Sequence, residues 1–329
     1  MTERIKRWSR TVIPILLGAF VLYWIYRDFD FSRVQDVLQN NVGWTWMWIS
    51  LVFGILSHVL RGLRWKQTLE PLGEKPKALD CVDAIFVSYA ANLVFPRVGE
   101  LARCGILKKY DGVSFPKSVG TVVTERLIDC LCMLVICALT FVLQMPVFVR
   151  FFHETGTKIP SLSHLVQSPW FYVSAFCVVG AVGIVIFLLK ALPIGQKMSE
   201  ILRNVWQGVW SVGKVRNLPL FVLLTISIWV CYFLHFYLTF LCFSFTLGLD
   251  ALAGLVMFVG GTIAVIVPTP NGAGPWHFAV ITMMMLYGVG YEDAASFALI
   301  VHAIQTLLVI VLGVWGWMRL AISRERTKI

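Results

Sequence analysis

Arg97, Glu100 and Arg103 stand three residues apart in the stretch Asn92-Leu-Val-Phe-Pro96-Arg97-Val-Gly99-Glu100-Leu-Ala-Arg103. On a helix that spacing forms one charged ridge, because residues three and four apart share a face. Two guanidinium forks with a carboxylate between them suit a phosphate: the forks bind it and the carboxylate orients them. The alternative is a plain loop carrying ordinary charges. A second cluster holds Glu125 and Asp129 four residues apart, with Arg126 three before Asp129. It reads either as a capping and salt-bridge cluster at the mouth of a helix, or as an ionic gate with Arg97 and Arg103 that carries a coupling proton. His58, Arg61, Arg64 and Trp65 close an apolar run, where arginine and tryptophan read as interface anchors.

A third stretch is Pro268-Thr-Pro270-Asn271-Gly272-Ala-Gly274-Pro275-Trp-His277. It is either a simple turn or a site in which a helix starting at Pro275 leaves free amides facing an anion. His235 and His302 lie in apolar segments. They are proton relays or, more simply, imidazoles bonded to a neighbour such as Gln305. No H-E-x-x-H, G-x-S-x-G, P-loop or dinucleotide fingerprint occurs, and the carboxylates form no set with a nearby nucleophile, so there is little here for a hydrolase. The eight cysteines form no C-x-x-C pair and read as small core hydrophobes. No cofactor or metal is expected.

The elements that must position these groups follow from composition. Of 329 residues, 58% are apolar and 14% charged, against about 25% charged in an ordinary soluble domain. With a mean hydropathy of +0.77, the chain has too little polar surface for a water-soluble globule. An all-α polytopic membrane protein is expected, as one integral domain over residues 1–329, since no polar connection is long enough to fold alone. The basic start, Met1 to Arg10, precedes an apolar run without a small-residue cleavage site, so that run reads as a retained span.

Apolar runs occur at about Val12–Tyr26, Trp44–Leu60, Leu79–Phe95, Val119–Leu143, Trp170–Leu189, Leu218–Leu247, Ala251–Val267, Trp276–Tyr287 and Ala294–Leu320. A spanning helix needs roughly 20 apolar residues, so the third, seventh and eighth are short. Proline removes an amide donor and glycine admits unusual backbone angles, so both Pro/Gly stretches should break a helix. Leu79–Phe95 is therefore expected to re-enter from the cytoplasm and Ala251–Tyr287 to form a broken hairpin from the opposite face, leaving about six full transmembrane helices. That arrangement places 24 of the 28 lysines and arginines on one side, with Arg27, Arg33, Arg150 and Lys158 on the other. The positive-inside rule then assigns both termini to the cytoplasm. The net charge of +10 is accounted for by a face attractive to anionic lipid headgroups, and nucleic acid is not needed as a partner. Interrupted helices opening from opposite faces point to an inverted-repeat transporter with its site between the breaks.

The order Arg61-x-x-Arg64-Trp65, Asn92-x-x-x-Pro96-Arg97-x-Gly99-Glu100-x-x-Arg103, Glu125-Arg126-x-x-Asp129 and Pro268-x-Pro270-x-Gly272-x-Gly274 resembles the lysylphosphatidylglycerol synthetase transmembrane, or flippase-like, family. The resemblance covers nearly the whole chain. It implies an integral protein of the bacterial cytoplasmic (inner) membrane that moves, or helps move, lipids with charged or glycosylated headgroups between leaflets. The residues it carries over as substrate-binding are Arg61, Arg64, Asn92, Arg97, Glu100, Arg103, Glu125, Arg126, Asp129, Pro270, Asn271, Gly272, Gly274 and His277.

Two departures qualify it. Members joined to a soluble aminoacyl transferase continue well past the membrane portion, whereas this sequence stops at Ile329, so lipid aminoacylation by it is not expected. The family also tends to carry a glutamate where His277 stands, which changes the charge of the pocket. The leading expectation is a lipid flippase rather than an enzyme, with lipids of anionic headgroup as partners and a separate lipid-synthesising enzyme as a further candidate partner. A membrane-embedded lipid-modifying enzyme using Glu125, Asp129 or His277, and a non-transporting scaffold for an envelope lipid or polysaccharide synthase, are the rivals.

Overall fold

A computed structural model describes residues 15–40, 42–94, 98–145, 203, 213 and 215–326. The expected span at Trp170–Leu189, and Arg97 with the Phe95-Pro96 step, lie outside the described residues. The described chain is helical: α1 (Ile15–Tyr26), α2 (Phe31–Asn40), α3 (Trp44–Leu69), α4 (Ala78–Val94), α5 (Gly99–Asp111), α6 (Phe115–Leu143), α7 (Leu218–Tyr237), α8 (Ala251–Ala264), α9 (Pro275–Leu286) and α10 (Tyr291–Arg326). Among the described residues, four helical stretches are long and apolar enough to cross a bilayer, Trp44–Leu72, Phe115–Leu143, Leu218–Cys242 and Tyr291–Ser323. The molecule is an all-α polytopic membrane protein.

Three features differ from expectation. The second span continues from Leu60 to Leu69, because Arg61 and Arg64 are neutralised by partners on another helix and do not mark a water interface. The polar connection after Tyr26 contains the ten-residue helix α2, whose Val34, Val37 and Leu38 share one face. The stretch after α7 tightens into 3-10 turns at Leu238–Cys242 and Ser244–Thr246 and does not stay α-helical.

α10 serves as a ruler for depth. Near its end, Arg319 donates to Asp83 of α4 (Nε to Oδ2, 2.6 Å) and also faces Asp80. The amide of Lys77, just before α4, donates to Asp111 at the end of α5 (3.2 Å), so the α4–α5 hairpin enters and leaves on that same face. Lys117 joins the face at the start of α6 through Glu74 (3.0 Å) and the Leu72 carbonyl (2.9 Å). At 17 and 13 residues, α4 and α5 reach only about 25 and 20 Å, short of a full crossing. The opposite hairpin, α8–α9, runs into the start of α10 at Tyr291, which lies roughly 42 Å along that helix from Arg319. The two hairpins therefore open from opposite faces.

Small residues let the first hairpin pack. A Cβ added at Gly99 would lie 2.0 Å from the Ser88 carbonyl oxygen, and one at Gly313 would lie 2.2 Å from the Ala90 Cβ. α4 is thus clamped between α5 and α10 by backbone contact that only glycine permits.

Candidate functional site

The first break turns where Asn92 and Gly99 meet: the Asn92 Oδ1 accepts from the Gly99 amide (2.8 Å), which caps α5 and fixes its angle to α4. α5 then presents Glu100 and Arg103 one turn apart toward α6, and α3 brings Arg61 and Arg64 from the other side. The result is one connected ion network. Arg61 and Arg64 each donate to a separate oxygen of Asp129, both at 2.8 Å. Arg103 lies 2.7 Å from Glu125 and 2.8 Å from Glu100. Arg64 approaches Glu125 at 3.7 Å and donates to the Thr225 hydroxyl at 3.3 Å, tying α7 to the network. Arg126 is held less closely, 3.3 Å from Asp129 and 3.5 Å from Glu100.

Arg61, Arg64 and Arg103 are at most 2% exposed and Glu125 is fully buried. Reading Arg61 and Arg64 as interface anchors is therefore corrected: what places them inside is Asp129, more than sixty residues away in sequence. Trp65 stands in the sequence motif beside Arg64, but the other aromatic and hydroxyl groups that complete the cluster, Thr121, Tyr89 and Tyr232, are not singled out by the sequence pattern. The Arg103 guanidinium sits 4.5 Å over the Trp65 ring, a cation–π contact. Trp65 donates to Thr121 (3.0 Å), Arg61 lies 5.6 Å over the Tyr232 ring, and Tyr232 shares a 3.0 Å hydrogen bond with Tyr89.

Among the described residues, charge does not cancel here: four arginines meet three carboxylates, Glu100, Glu125 and Asp129. The Arg61 Nε and Nη1 have no hydrogen-bond partner among the described residues, nor does the Nδ1 of buried His58, whose ring lies 4.3 Å from that of Tyr89. Donors and cations without full compensation are costly in a protein interior and suit an anion that arrives from outside.

The second break behaves as the prolines and glycines require. Asn271, Gly272 and Gly274 all take positive φ (51°, 70° and 91°), so the turn reverses direction within a few residues. Pro270 opens it, and Pro275 starts α9. The Asn271 side chain donates to Thr306 (2.7 Å), and its carbonyl lies 3.1 Å from the His302 Nε2. His277 receives the Gly274 amide (3.4 Å), and its ring lies 4.5 Å from that of His302, tilted by 55°. Thr306 is roughly midway between Tyr291 and Arg319 along α10, and the Pro270–Gly272 turn packs against α4. The second turn therefore meets α4 at mid-depth. His235 is bonded to a neighbour, through the Ser50 carbonyl (2.8 Å) and hydroxyl (3.1 Å), as the simpler reading of the histidines expects, with Ser50 in the place of Gln305 as that neighbour. The structure thus gathers Arg61, Arg64, Glu100, Arg103, Glu125, Arg126 and Asp129 into one site, with Asn92 shaping its border. Pro270, Asn271, Gly272, Gly274 and His277 form a separate turn, packed against α4. Among the described residues no set of three or more metal-ligating side chains converges.

An all-α membrane fold with two opposed re-entrant hairpins and a buried arginine–carboxylate network defines a class of polytopic membrane protein. The chain belongs to the family described as the lysylphosphatidylglycerol synthase TM region, which matches residues 11–313. It is similar to a UPF0104 membrane protein of Methanocaldococcus jannaschii, 26% identical over 224 residues, covering 68% of this chain and 90% of that one. It is also similar to glycosyltransferase AglD of Haloferax volcanii, 25% identical over 349 aligned positions, covering 97% of this chain and 56% of the other. The chain thus spans just over half the length of that glycosyltransferase. No solved structure matches.

Proposed function

We propose that this protein moves a lipid with an anionic, phosphate-bearing headgroup between leaflets, as a transporter and not as an enzyme. The observation that carries the reading is the cationic surplus of the buried network, four arginines against three carboxylates among the described residues, in a fold whose second turn packs against α4. Ionisable groups at membrane depth are expensive and usually serve a substrate path. Irregular backbone at that depth is tolerated where it borders a cavity or packed protein. In this reading the face bearing Lys77, Lys117 and Arg319 is cytoplasmic, both termini lie there, and the membrane is the cytoplasmic membrane. The headgroup exchanges its phosphate for a carboxylate on the arginines, while the second turn, with His277 in place of a glutamate, lines the far exit.

The test is a leaflet assay on the full chain in vesicles. Fluorescent phosphatidylglycerol is predicted to become accessible to an impermeant reductant faster than in protein-free vesicles, and faster than the phosphatidylcholine analogue. Rates equal to protein-free vesicles for both lipids would remove transport as the function. The likeness to a glycosyltransferase favours one second reading, in which the domain serves as a membrane platform for an enzyme that builds lipid or polysaccharide. Under that reading, Glu100 and Arg126 tolerate substitution, and co-purification with such an enzyme replaces lipid movement as the positive result.

A further inference from the structure

Between α5 and α6 lies a cavity of about 430 Å³ whose wall is apolar, Leu101, Val119, Val122, Val123 and Leu127, except for Glu100 and Arg126. Leu101, Val123 and Leu127 are 54%, 41% and 59% exposed, so the cleft is open to the side. In a helix of the membrane-spanning class that side is the hydrocarbon of the bilayer. Arg126 is unlike its neighbours: its side chain is 43% exposed, against 3%, 0% and 1% for Arg61, Arg64 and Arg103. Its two ion pairs, 3.3 and 3.5 Å, are longer than the 2.7–2.8 Å contact that each of Arg61, Arg64 and Arg103 makes with a carboxylate.

A phospholipid has the same division, an apolar chain ending at a phosphate. We propose that this cleft is the lateral entry of the site, where one acyl chain lies against Val123 and Leu127 while the lipid phosphate takes Arg126 from Glu100 and Asp129. The inference rests on the lipid-moving reading and deepens it by naming the door and the first charged contact. It also gives the charge surplus a sequence: the phosphate meets the loosest arginine first, and the buried Arg61, with two free donors, lies behind it.

The experiment places the photo-crosslinking residue p-benzoylphenylalanine at Val123 or, as a control, at Leu134, which lies on the same helix outside the cleft and is 62% exposed. The full chain is reconstituted in nanodiscs holding phosphatidylglycerol and phosphatidylcholine together. The Val123 probe should crosslink phosphatidylglycerol over phosphatidylcholine by roughly fivefold: both carry the phosphate, but phosphatidylcholine brings a quaternary ammonium that Arg126 and the arginines behind it repel, a difference on the scale of one partly exposed ion contact. Arg126→Gln should abolish that preference, Arg126→Lys should keep most of it, and the Leu134 probe should show none. Excess inorganic phosphate should leave the preference intact, because the chain as well as the headgroup holds the lipid. Equal labelling of both lipids at Val123, a preference that survives Arg126→Gln, loss of the preference to inorganic phosphate, or crosslinking of Val123 to protein instead of lipid would each overturn the entry site. Crosslinking as expected with no movement in the leaflet assay would keep the entry site and discard transport. Movement without headgroup preference at Val123 would do the reverse.

Discussion

Arg103 of α5 and Glu125 of α6 face each other at 2.7 Å with both side chains out of solvent, so the first re-entrant hairpin is bound to a spanning helix by a buried ion pair. Breaking such a pair leaves one charge stranded, whereas replacing both partners by apolar groups removes the desolvation cost as well. Arg103→Ala or Glu125→Ala alone is expected to destabilise by about 3–5 kcal/mol. Arg103→Met combined with Glu125→Leu should cost much less than the sum of the two. Thermal unfolding of the purified variants in detergent checks this; additive losses in the double variant would show that the two residues do not act as a pair.

The close contact at Gly99 yields a contrast within one helix. Gly99→Ala places a methyl group 2.0 Å from the Ser88 carbonyl, a backbone atom that cannot step aside. Gly105→Ala, where nothing lies within 4 Å, should be neutral or stabilise by up to about 1 kcal/mol through helix propensity. Gly99→Ala should therefore lower the unfolding temperature of the purified protein while Gly105→Ala does not. Equal behaviour of the two variants would contradict the packing of the hairpin.

Asp111 closes α5 at the basic face, outside the spanning helices, and burial followed by the neighbouring Asp80 pushes its carboxyl from the ordinary 3.8 up to about 6. A raised carboxyl binds its proton more tightly in the folded protein, so stability is greatest below the ordinary value and declines as pH rises from about 4 through about 6. Asp111→Asn should flatten this part of the pH profile, and Asp80→Asn should shift it toward lower pH. The readout is unfolding temperature across that window; an unchanged slope in Asp111→Asn would assign the dependence elsewhere.

Much of this architecture was legible from local chemistry. Pro268, Pro270, Gly272 and Gly274 announce a reversal because proline and glycine act on the backbone at their own positions, and three residues of that turn do take positive φ. The Glu100–Arg103 and Arg126–Asp129 pairs follow from helical spacing alone. What could not be read is non-local. Asp129 draws in Arg61 and Arg64 from a helix far along the chain, and without that partner two arginines at the end of an apolar run look like interface anchors. The contact of His277 with His302, and of Arg103 with Trp65, likewise depends on how helices cross. α2 escaped notice because ten residues of mixed polarity give a weak periodic signal.

The most direct test of the account is the rate at which fluorescent phosphatidylglycerol changes leaflet in vesicles carrying wild-type protein, Arg126→Gln, or Leu134→Ala on the lipid-facing side of the same helix. Arg126 is partly exposed, so its loss should leave the fold intact while removing the first cation the headgroup meets. The account predicts a rate for Arg126→Gln reduced by roughly tenfold, with Leu134→Ala unchanged. Wild-type movement of the anionic lipid by folded Arg126→Gln protein would contradict it.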